Sequence, residues 1–229
     1  MPAVVQVGNV NYRTEQDLPE IVPVFPLTGA LLLPGGQMPL NIFEPRYLAM
    51  LDHAIAGDRV IGMIQPRLDG ALRSDGEPEL CAVGCLGRLT SFSESGDGRY
   101  VISLQGIARF RVLEEMAGRE PFRLCRIAPF SADLDPGEGA DEVDREGLLK
   151  AFRMYLEANQ LQADWDSVSK ASNETLVNAL SMMSPYGAAE KQALLEAPDL
   201  KTRAETLVAI TEISLARENS GDGGGQILQ

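Results

Sequence analysis

Prolines interrupt the most apolar segment of this chain at short intervals and limit the structures that it can form. The segment covers residues 21–51 and reads IVPVFPLTGALLLPGGQMPLNIFEPRYLAML, with prolines at Pro23, Pro26, Pro34, Pro39 and Pro45. Each proline removes a backbone donor and fixes φ, which excludes a long helix or a central strand. The spacing therefore predicts short extended pieces and turns whose apolar side chains are buried between them.

Composition narrows the class of protein. The 229 residues are 45% hydrophobic and 23% charged, which is typical of a globular protein, and the net charge of −13 would repel a phosphate backbone, so nucleic acid is not expected as a partner. No apolar run approaches the length of about 20 residues that spans a bilayer, and no secretory signal opens the chain, so no membrane is expected. Three cysteines do not form a disulfide framework, and we expect a cytoplasmic protein.

Residues 19–130 have the pattern of a small β-structure that contains one helix. Residues 1–18 are polar and predict a partly ordered arm. Short strands are predicted at 21–25, 37–43, 59–65, 80–92, 99–105 and 122–127, with Gly106 breaking the fifth and Pro39 confining the second to an edge. Between the second and third strands, apolar residues recur at helical spacing from Pro45 until Gly57 stops the helix. About six strands and one inserted helix indicate a closed or nearly closed β-barrel.

The remaining residues predict an acidic linker and a helical bundle. Residues 131–146 are rich in Asp and Glu and contain Pro136 and two glycines, which favours a solvated boundary loop. Helical periodicity within residues 147–219 predicts about four antiparallel helices near 148–156, 173–183, 187–197 and 199–217. Residues 220–229 are rich in glycine and predict a flexible tail. The predicted fold class is therefore α+β.

The sequence contains no recognisable catalytic or metal-binding pattern. It has neither a phosphate-binding glycine loop nor a Gly-x-Ser-x-Gly elbow, so we expect neither an ATPase nor a serine hydrolase. The single histidine, His53, lies within the predicted helix without partners at catalytic spacing. Cys81 and Cys85 lack a second ligand pair at zinc-site spacing and are predicted to be buried thiols. We therefore expect no enzyme activity, no cofactor and no metal.

The proline-interrupted segment resembles the N-terminal domain of the ATP-dependent Lon proteases, and more closely the stand-alone bacterial proteins built from that domain. The matching stretches are VPVFPL at 22–27, LLLPGGQMPLNIFEPRYLAML at 31–51, GDRVIGMIQP at 57–66, VGCLGRLTSF at 83–92 and GRYVISLQGIARFRV at 98–112. In the helical half, TLVNALSMMSPY at 175–186 and EKQALLEAPDLKTRAETL at 190–207 continue the resemblance. It implies a PUA-like β-barrel followed by a helical bundle. It also implies a domain that recognises substrates, without the ATPase and Ser-Lys protease modules of the full-length enzymes.

The leading hypothesis is a non-enzymatic module that binds unfolded or client polypeptides and acts, in one version, with a separate protease. The candidate binding residues are Phe43, Glu44, Arg46 and Tyr47, beside the cleft expected between barrel and bundle. The aromatic pair supplies apolar contact area, and the charged pair can orient a backbone or a charged side chain. The same residues equally suit packing of the helix onto the barrel. Two further alternatives are RNA binding, since PUA-like barrels include RNA readers, and a small-molecule hydrolase with an unrecognised site.

Overall fold

The computed structural model describes residues 4–221, with side chains described through residue 217. The strands of this range are β1 Val5–Val7, β2 Val10–Tyr12, β3 Ile21–Pro26, β4 Gln37–Ile42, β5 Val60–Ile64, β6 Val83–Glu94, β7 Tyr100–Met116 and β8 Arg123–Pro129. Its α-helices are α1 Pro45–Ala56, α2 Arg145–Ala158, α3 Trp165–Lys170, α4 Asn173–Met183, α5 Ala188–Glu196 and α6 Leu200–Gly221. Strands therefore precede helices, with α1 inserted between β4 and β5, and the predicted α+β class is confirmed.

Six strands form one mixed sheet in the order β4-β7-β6-β5-β3-β8, and β8 also pairs with β7. Following the pairings from β7 through β6, β5, β3 and β8 therefore leads back to β7. The length of β7 makes this possible, because its first half pairs with β4 and its second half with β8. Only β3 and β5 run parallel; the other neighbours are antiparallel. As Pro39 predicts, β4 lies at an edge and pairs with β7 alone.

The prediction that prolines exclude a central strand is wrong for β3. This strand lies between β5 and β8, and four of its six residues are buried. Its first part, through Val24, pairs with β8, whereas the part from Val24 to Pro26 pairs with β5. Pro23 therefore has no register partner on β5, and Pro26 has none on β8. Each proline lies where one side of the strand is unpaired, so a missing N–H disrupts neither ladder.

Gly106 does not end its strand, contrary to prediction, since β7 continues through it to Met116. The reason for glycine is a close approach of two backbones. A Cβ atom at this position would lie 2.1 Å from the carbonyl oxygen of Leu33. Hydrogen bonds hold the approach in place: the Gly106 N–H donates to Gly36 O at 2.8 Å, and Gly35 N–H donates to Gly106 O at 3.0 Å. Gly106 therefore allows the loop that follows β3 to close over the sheet.

The first 18 residues are more structured than their polar pattern predicts. β1 and β2 pair as an antiparallel hairpin, and a short 3-10 turn follows. Val7, Tyr12 and Leu18 are buried in the same apolar cluster as Phe110 of β7. Three well-spaced apolar residues are enough to fix this segment to the sheet, although no strand-like run reveals it in the sequence. Residues 1–3 lie outside the described range.

The helical half contains five described helices after the sheet rather than the predicted four. The extra helix, α3, has six residues, too few for a recognisable apolar period. The Asp164 side chain begins it by accepting hydrogen bonds from the N–H groups of Asp166 and Ser167 at 3.1 and 3.3 Å. The expected tail at 220–229 lies outside the described residues except for its first two positions, which end α6.

Barrel and bundle share one apolar core. The large cluster joins Leu32, Met50 and Leu104 of the first half to Val177 and Leu194 of the helices. Residues 131–146 are mostly exposed, as predicted for a solvated linker, but they are not without structure. They contain two 3-10 turns at 131–134 and 140–142, and Leu134 and Val143 are buried. The halves are therefore packed together directly.

A buried polar network also fixes the bundle against the sheet. The side chain of Gln65, 1% exposed, accepts a hydrogen bond from Gly29 N–H at 2.7 Å. Its amide nitrogen donates to Ala188 O and to the Gln192 side chain, both at 3.0 Å. Gln192 in turn donates to Val83 O of β6 at 3.2 Å. Because buried amides without partners are costly, this network specifies how α5 lies on the strands.

Candidate functional site

The four residues that the sequence singles out lie in the turn between β4 and α1 and in the first turn of α1. Pro45 occupies the first turn of α1, where its missing N–H costs nothing, and Glu44 is the N-cap residue. The Glu44 carboxylate does not cap the helix; it accepts a hydrogen bond from Arg46 Nε at 3.1 Å. The Arg46 guanidinium lies 4.7 Å from the centroid of the Tyr47 ring. This turn therefore presents a carboxylate, a guanidinium and an aromatic ring side by side.

Phe43 and Tyr47 differ in environment. Tyr47 is 8% exposed, and its ring centroid lies 4.2 Å from that of Phe25 in β3. Burial raises the pKa of the Tyr47 phenol. Phe43 is 61% exposed, so most of its ring faces solvent. Packing of α1 onto the sheet accounts for Tyr47 and leaves the exposure of Phe43 without a structural reason.

Arg46 and Tyr47 line a groove of about 410 Å³, called here the Tyr47 groove. Its floor includes Val24 of β3 and Leu124 of β8, and its walls are the loops at residues 73–78 and 116–122. Phe43 and Glu44 are not among the lining residues; Glu44 is linked to the lining residue Arg46 by a hydrogen bond, and Phe43 is its neighbour in sequence. The groove thus combines an apolar floor with charged walls, a combination common at ligand-binding sites.

A network of ion pairs shapes one wall of the groove. Glu115 accepts hydrogen bonds from Arg123 Nε and Nη2 at 2.7 and 2.6 Å and also pairs with Arg73. Arg123 further donates to Pro78 O at 2.7 Å. On the opposite side, Arg46 Nη1 lies 3.7 Å from Glu77. Because each of the three arginines already has a carboxylate, the groove has no excess of positive charge.

The arginines of the last two strands and the single histidine do not add a second candidate site. The arginines of β7 and β8, which are Arg109, Arg111, Arg123 and Arg126, do not form a free basic stripe, because Arg109 is buried and Arg123 is paired with Glu115. His53 is an exposed residue of α1 whose ring centroid lies 5.3 Å from that of Phe122.

The three cysteines are buried free thiols, as predicted for Cys81 and Cys85. Burial raises the pKa of all three thiols, that of Cys125 to about 12. Within residues 4–221, no group of three or more metal-ligating side chains comes together. Across the same range, no helix has both the length and the apolar character that crossing a membrane requires.

The expected cleft between barrel and bundle is separate from the Tyr47 groove. The two openings share no lining residue. The second one is a cavity of about 340 Å³ at the start of α6, called here the Arg203 cavity; its lining includes Arg109, Asp133, Asn178 and Arg203. The candidate surface proposed from the sequence therefore divides into two places.

Arg109 and Asp133 form a buried ion pair at the edge of this cavity. Their side chains are 3% and 8% exposed. Asp133 accepts hydrogen bonds from Arg109 Nε and Nη2 at 2.9 and 2.8 Å, and from the Arg109 backbone N–H at 2.8 Å. Arg109 Nη1 also donates to the carbonyl oxygens of Leu195 and Ala197 in and just after α5. Arg109 thus links β7, residues 131–134 and α5.

Sequence reasoning missed Arg109, Asp133 and Arg203 as buried groups. Arg109 lies on the opposite face of β7 from Phe110, as strand alternation requires, but that face is covered by the bundle rather than by water. Asp133 lies in an acidic run that looks solvated. Arg203 occurs among charged neighbours in α6, where only the packing of the helix reveals its burial. No single-sequence signal distinguishes these three from surface charges.

Known structures of similar proteins share this fold. The crystal structure of a Lon N-terminal domain protein from Xanthomonas campestris matches with a TM-score of 0.60 and 26% identity, covering 82% of this chain and 97% of that one. The N-terminal domain of the Mycobacterium avium complex Lon protease matches with a TM-score of 0.64 over 84% of this chain and 98% of that one. At 18% identity, the second likeness concerns the fold alone.

Sequence relatives and the family match agree with the structures. Lon protease 2 of Myxococcus xanthus is 25% identical over 203 residues, which are 86% of this chain and 24% of the relative. Lon protease 2 of Sorangium cellulosum is 28% identical over 203 residues, 82% of this chain and 24% of the relative. The chain thus spans about a quarter of the length of these relatives. Residues 21–212 match the ATP-dependent protease La (LON) substrate-binding domain, so the chain belongs to that family.

Proposed function

We propose that this chain is a non-enzymatic module that binds unfolded or client polypeptides at the Tyr47 groove, with Phe43 as its apolar contact. The observation that carries the proposal is the 61% exposure of Phe43, which is next in sequence to Glu44, the hydrogen-bond partner of the groove-lining Arg46. The family supports the general role, since its domain is a substrate-binding domain. The proposal assigns that role to the groove.

The arrangement suits an extended polypeptide better than a compact polar ligand. An unfolded chain offers apolar side chains, which gain by covering an exposed aromatic ring, and a backbone with both donors and acceptors. Glu44 and Arg46 follow Phe43 within three residues of the chain, and both side chains are about two-fifths exposed. An exposed ion pair of this kind contributes little to stability. The pair can therefore open, and each side chain can bind a group of the client polypeptide, with little loss of free energy.

The same proposal holds that the protein is not an enzyme and that it acts in the cytoplasm. Buried thiols with raised pKa values are poor nucleophiles, and the exposed His53 contacts Phe122 rather than a catalytic partner. Reduced cysteines suit the cytoplasm. In one version of this role, the protein delivers the bound polypeptide to a separate protease, which is then its partner.

RNA binding receives less support than polypeptide binding. Recognition of single-stranded RNA relies on free cationic side chains interleaved with aromatic rings. Around the groove, Arg46, Arg73 and Arg123 each have a carboxylate partner. The overall charge of −13 acts in the same direction.

Binding of a permanently unfolded protein tests the proposal. Fluorescence anisotropy would follow labelled, reduced and carboxymethylated lactalbumin titrated with wild type and with Phe43→Ser. We expect Phe43→Ser to weaken binding about tenfold, the effect typical of losing one central aromatic contact. Leu113→Ser is the matched control, because Leu113 is 59% exposed and does not line the groove. Equal weakening by both variants, or no binding by wild type at tens of micromolar, would reject the proposal.

A further inference from the structure

A second opening adjoins the Tyr47 groove. It is an open hollow of about 810 Å³, called here the Leu68 hollow, and its apolar lining includes Leu68, Leu80 and Val112. Arg73 and Glu115 line both openings, and their side chains form an ion pair. Because the two openings share these residues, they are neighbours on the surface, and the ion pair forms part of the boundary between them.

The loop at residues 66–80 supplies lining residues to both openings. An antiparallel bridge between Pro66 and Leu80 joins its ends, and the Arg67 N–H donates to Glu79 O at 2.7 Å. These backbone contacts give the loop a defined shape. A polypeptide that occupied both openings would therefore pass along this loop.

The loop exposes two leucines, and only one of them lines an opening. Leu68 is 47% exposed, lines the hollow and belongs to neither apolar core cluster. Leu72 is 62% exposed and lines neither the groove nor the hollow. Single exposed leucines are common on protein surfaces, whereas a leucine within a hollow beside a binding groove can add apolar contact area for the same ligand.

The charges around the two openings restrict the chemistry of that ligand. Every arginine that lines either opening already has a carboxylate partner, namely Arg46, Arg67, Arg73 and Arg123. Two exposed carboxylates have no cationic partner among the described residues: Glu120 lines the groove, and Glu196 lines the hollow. Negative charge is therefore in excess at both openings, which favours basic over acidic residues in a bound segment.

We propose that the Tyr47 groove and the Leu68 hollow form one site for an extended client segment that carries both apolar and basic residues. The inference rests on the polypeptide binding proposed above and adds the path of the segment and its composition. An extended chain suits a divided site of this kind, because each residue advances it by about 3.3 Å and a short segment can reach both openings.

Substitution of the two loop leucines tests whether the hollow takes part in binding. Fluorescence anisotropy would compare wild type, Leu68→Ser and Leu72→Ser, titrated into labelled, reduced and carboxymethylated lactalbumin. Leu72→Ser is the matched control, because it changes the same loop at a position that lines neither opening. We expect Leu68→Ser to weaken binding about tenfold and Leu72→Ser to leave it unchanged.

The outcomes separate this inference from the proposed function. If Phe43→Ser weakens binding and Leu68→Ser does not, polypeptide binding at the groove stands and its extension into the hollow is wrong. Equal losses in Leu68→Ser and Leu72→Ser also overturn the extension. If wild type binds no unfolded protein, the proposed function fails and this inference fails with it.

Photo-crosslinking tests whether one client segment occupies both openings. The variants are Phe43→benzoylphenylalanine, Leu68→benzoylphenylalanine and, as the control, Leu72→benzoylphenylalanine. We expect crosslinks from position 68 to map on lactalbumin within about ten residues of those from position 43, since ten extended residues span about 33 Å, roughly the diameter of a small domain. Sites from position 68 that are scattered over the client, or a yield no greater than that from position 72, contradict a single segment.

Two forms of one unfolded protein test the preference for basic segments. Reduced lactalbumin would be aminoethylated, which adds a cation at each cysteine, or carboxymethylated, which adds an anion at the same positions. We expect wild type to bind the aminoethylated form about tenfold more tightly. The double variant Glu120→Gln and Glu196→Gln should reduce this ratio, whereas Glu20→Gln and Glu212→Gln, which make the same charge change at exposed positions outside both openings, should preserve it. Equal affinity of wild type for the two forms, or equal effects of the two double variants, overturns the charge preference.

Discussion

Removing the carboxylate of Asp133 should destabilise the protein more than any single surface substitution. Asp133→Ala deletes the acceptor of three hydrogen bonds from Arg109, two from its side chain and one from its backbone. Both side chains are less than one-tenth exposed, at 3% and 8%. Loss of one partner from a buried ion pair costs about 3–5 kcal/mol, because the other charge stays buried and unpaired. The nearby Arg203 adds repulsion, so we expect about 4–5 kcal/mol.

Urea unfolding followed by circular dichroism measures this loss. With an m value of about 3 kcal/mol/M, Asp133→Ala should lower the midpoint by about 1.3–1.7 M. The matched control is Glu79→Ala, which breaks an ion pair with Arg67 of the same 2.8 Å length between exposed side chains. We expect the control to cost less than about 1 kcal/mol. Similar midpoints for Asp133→Ala and Glu79→Ala would refute the conclusion that Arg109 and Asp133 form a buried link between sheet and bundle.

Three further predictions follow from close backbone contact, a half-buried acid and buried thiols. Gly106→Ala directs a methyl group into a backbone carbonyl and should cost about 3 kcal/mol in urea unfolding, whereas Gly118→Ala, whose Cβ would have no atom nearer than 3.9 Å, should be nearly neutral. Burial raises the pKa of Glu174, so its ionisation opposes folding, and wild type should lose stability relative to Glu174→Gln as pH rises above about 4.3; a constant difference from pH 3 to 7 would contradict this. In native protein at pH 8, Ellman's reagent should modify Cys81 before Cys85, which is fully buried and should react only at the rate of unfolding; equal rates would argue against this burial.

Much of the fold follows from local pattern. The bounds of α1 follow from helical spacing between Pro45 and Gly57, and the structure has the helix end at the residue before that glycine. The short apolar runs predict the central strands for the same reason, since their signals lie within a few consecutive residues. What local pattern cannot supply is the pairing partner. Pro23 and Pro26 are compatible with the central position of β3 only because each lies where one neighbouring strand is absent.

The sequence suggests which residues make up the candidate site, but it does not indicate how those residues are arranged. Phe43 and Tyr47 are four residues apart around the start of a helix, which gives no indication that one is 61% exposed and the other 8%. Their difference arises from Phe25, a residue of β3 that packs against Tyr47 alone of the two. The burial of Arg109 likewise depends on α5, which is more than 70 residues away in sequence. Non-local packing therefore decides which residues of a predicted motif remain available for binding.

Photo-crosslinking from position 43 tests the central claim most directly. Phe43→benzoylphenylalanine would be irradiated with reduced, carboxymethylated lactalbumin at tens of micromolar, and the products would be mapped by mass spectrometry. A benzoylphenylalanine at Leu113, which is similarly exposed at 59%, is the control. We predict crosslinks from position 43 that excess unlabelled unfolded protein displaces, and few from position 113. Equal yields from both positions, or crosslinks from position 43 that competitor leaves unchanged, would contradict polypeptide binding at the Tyr47 groove.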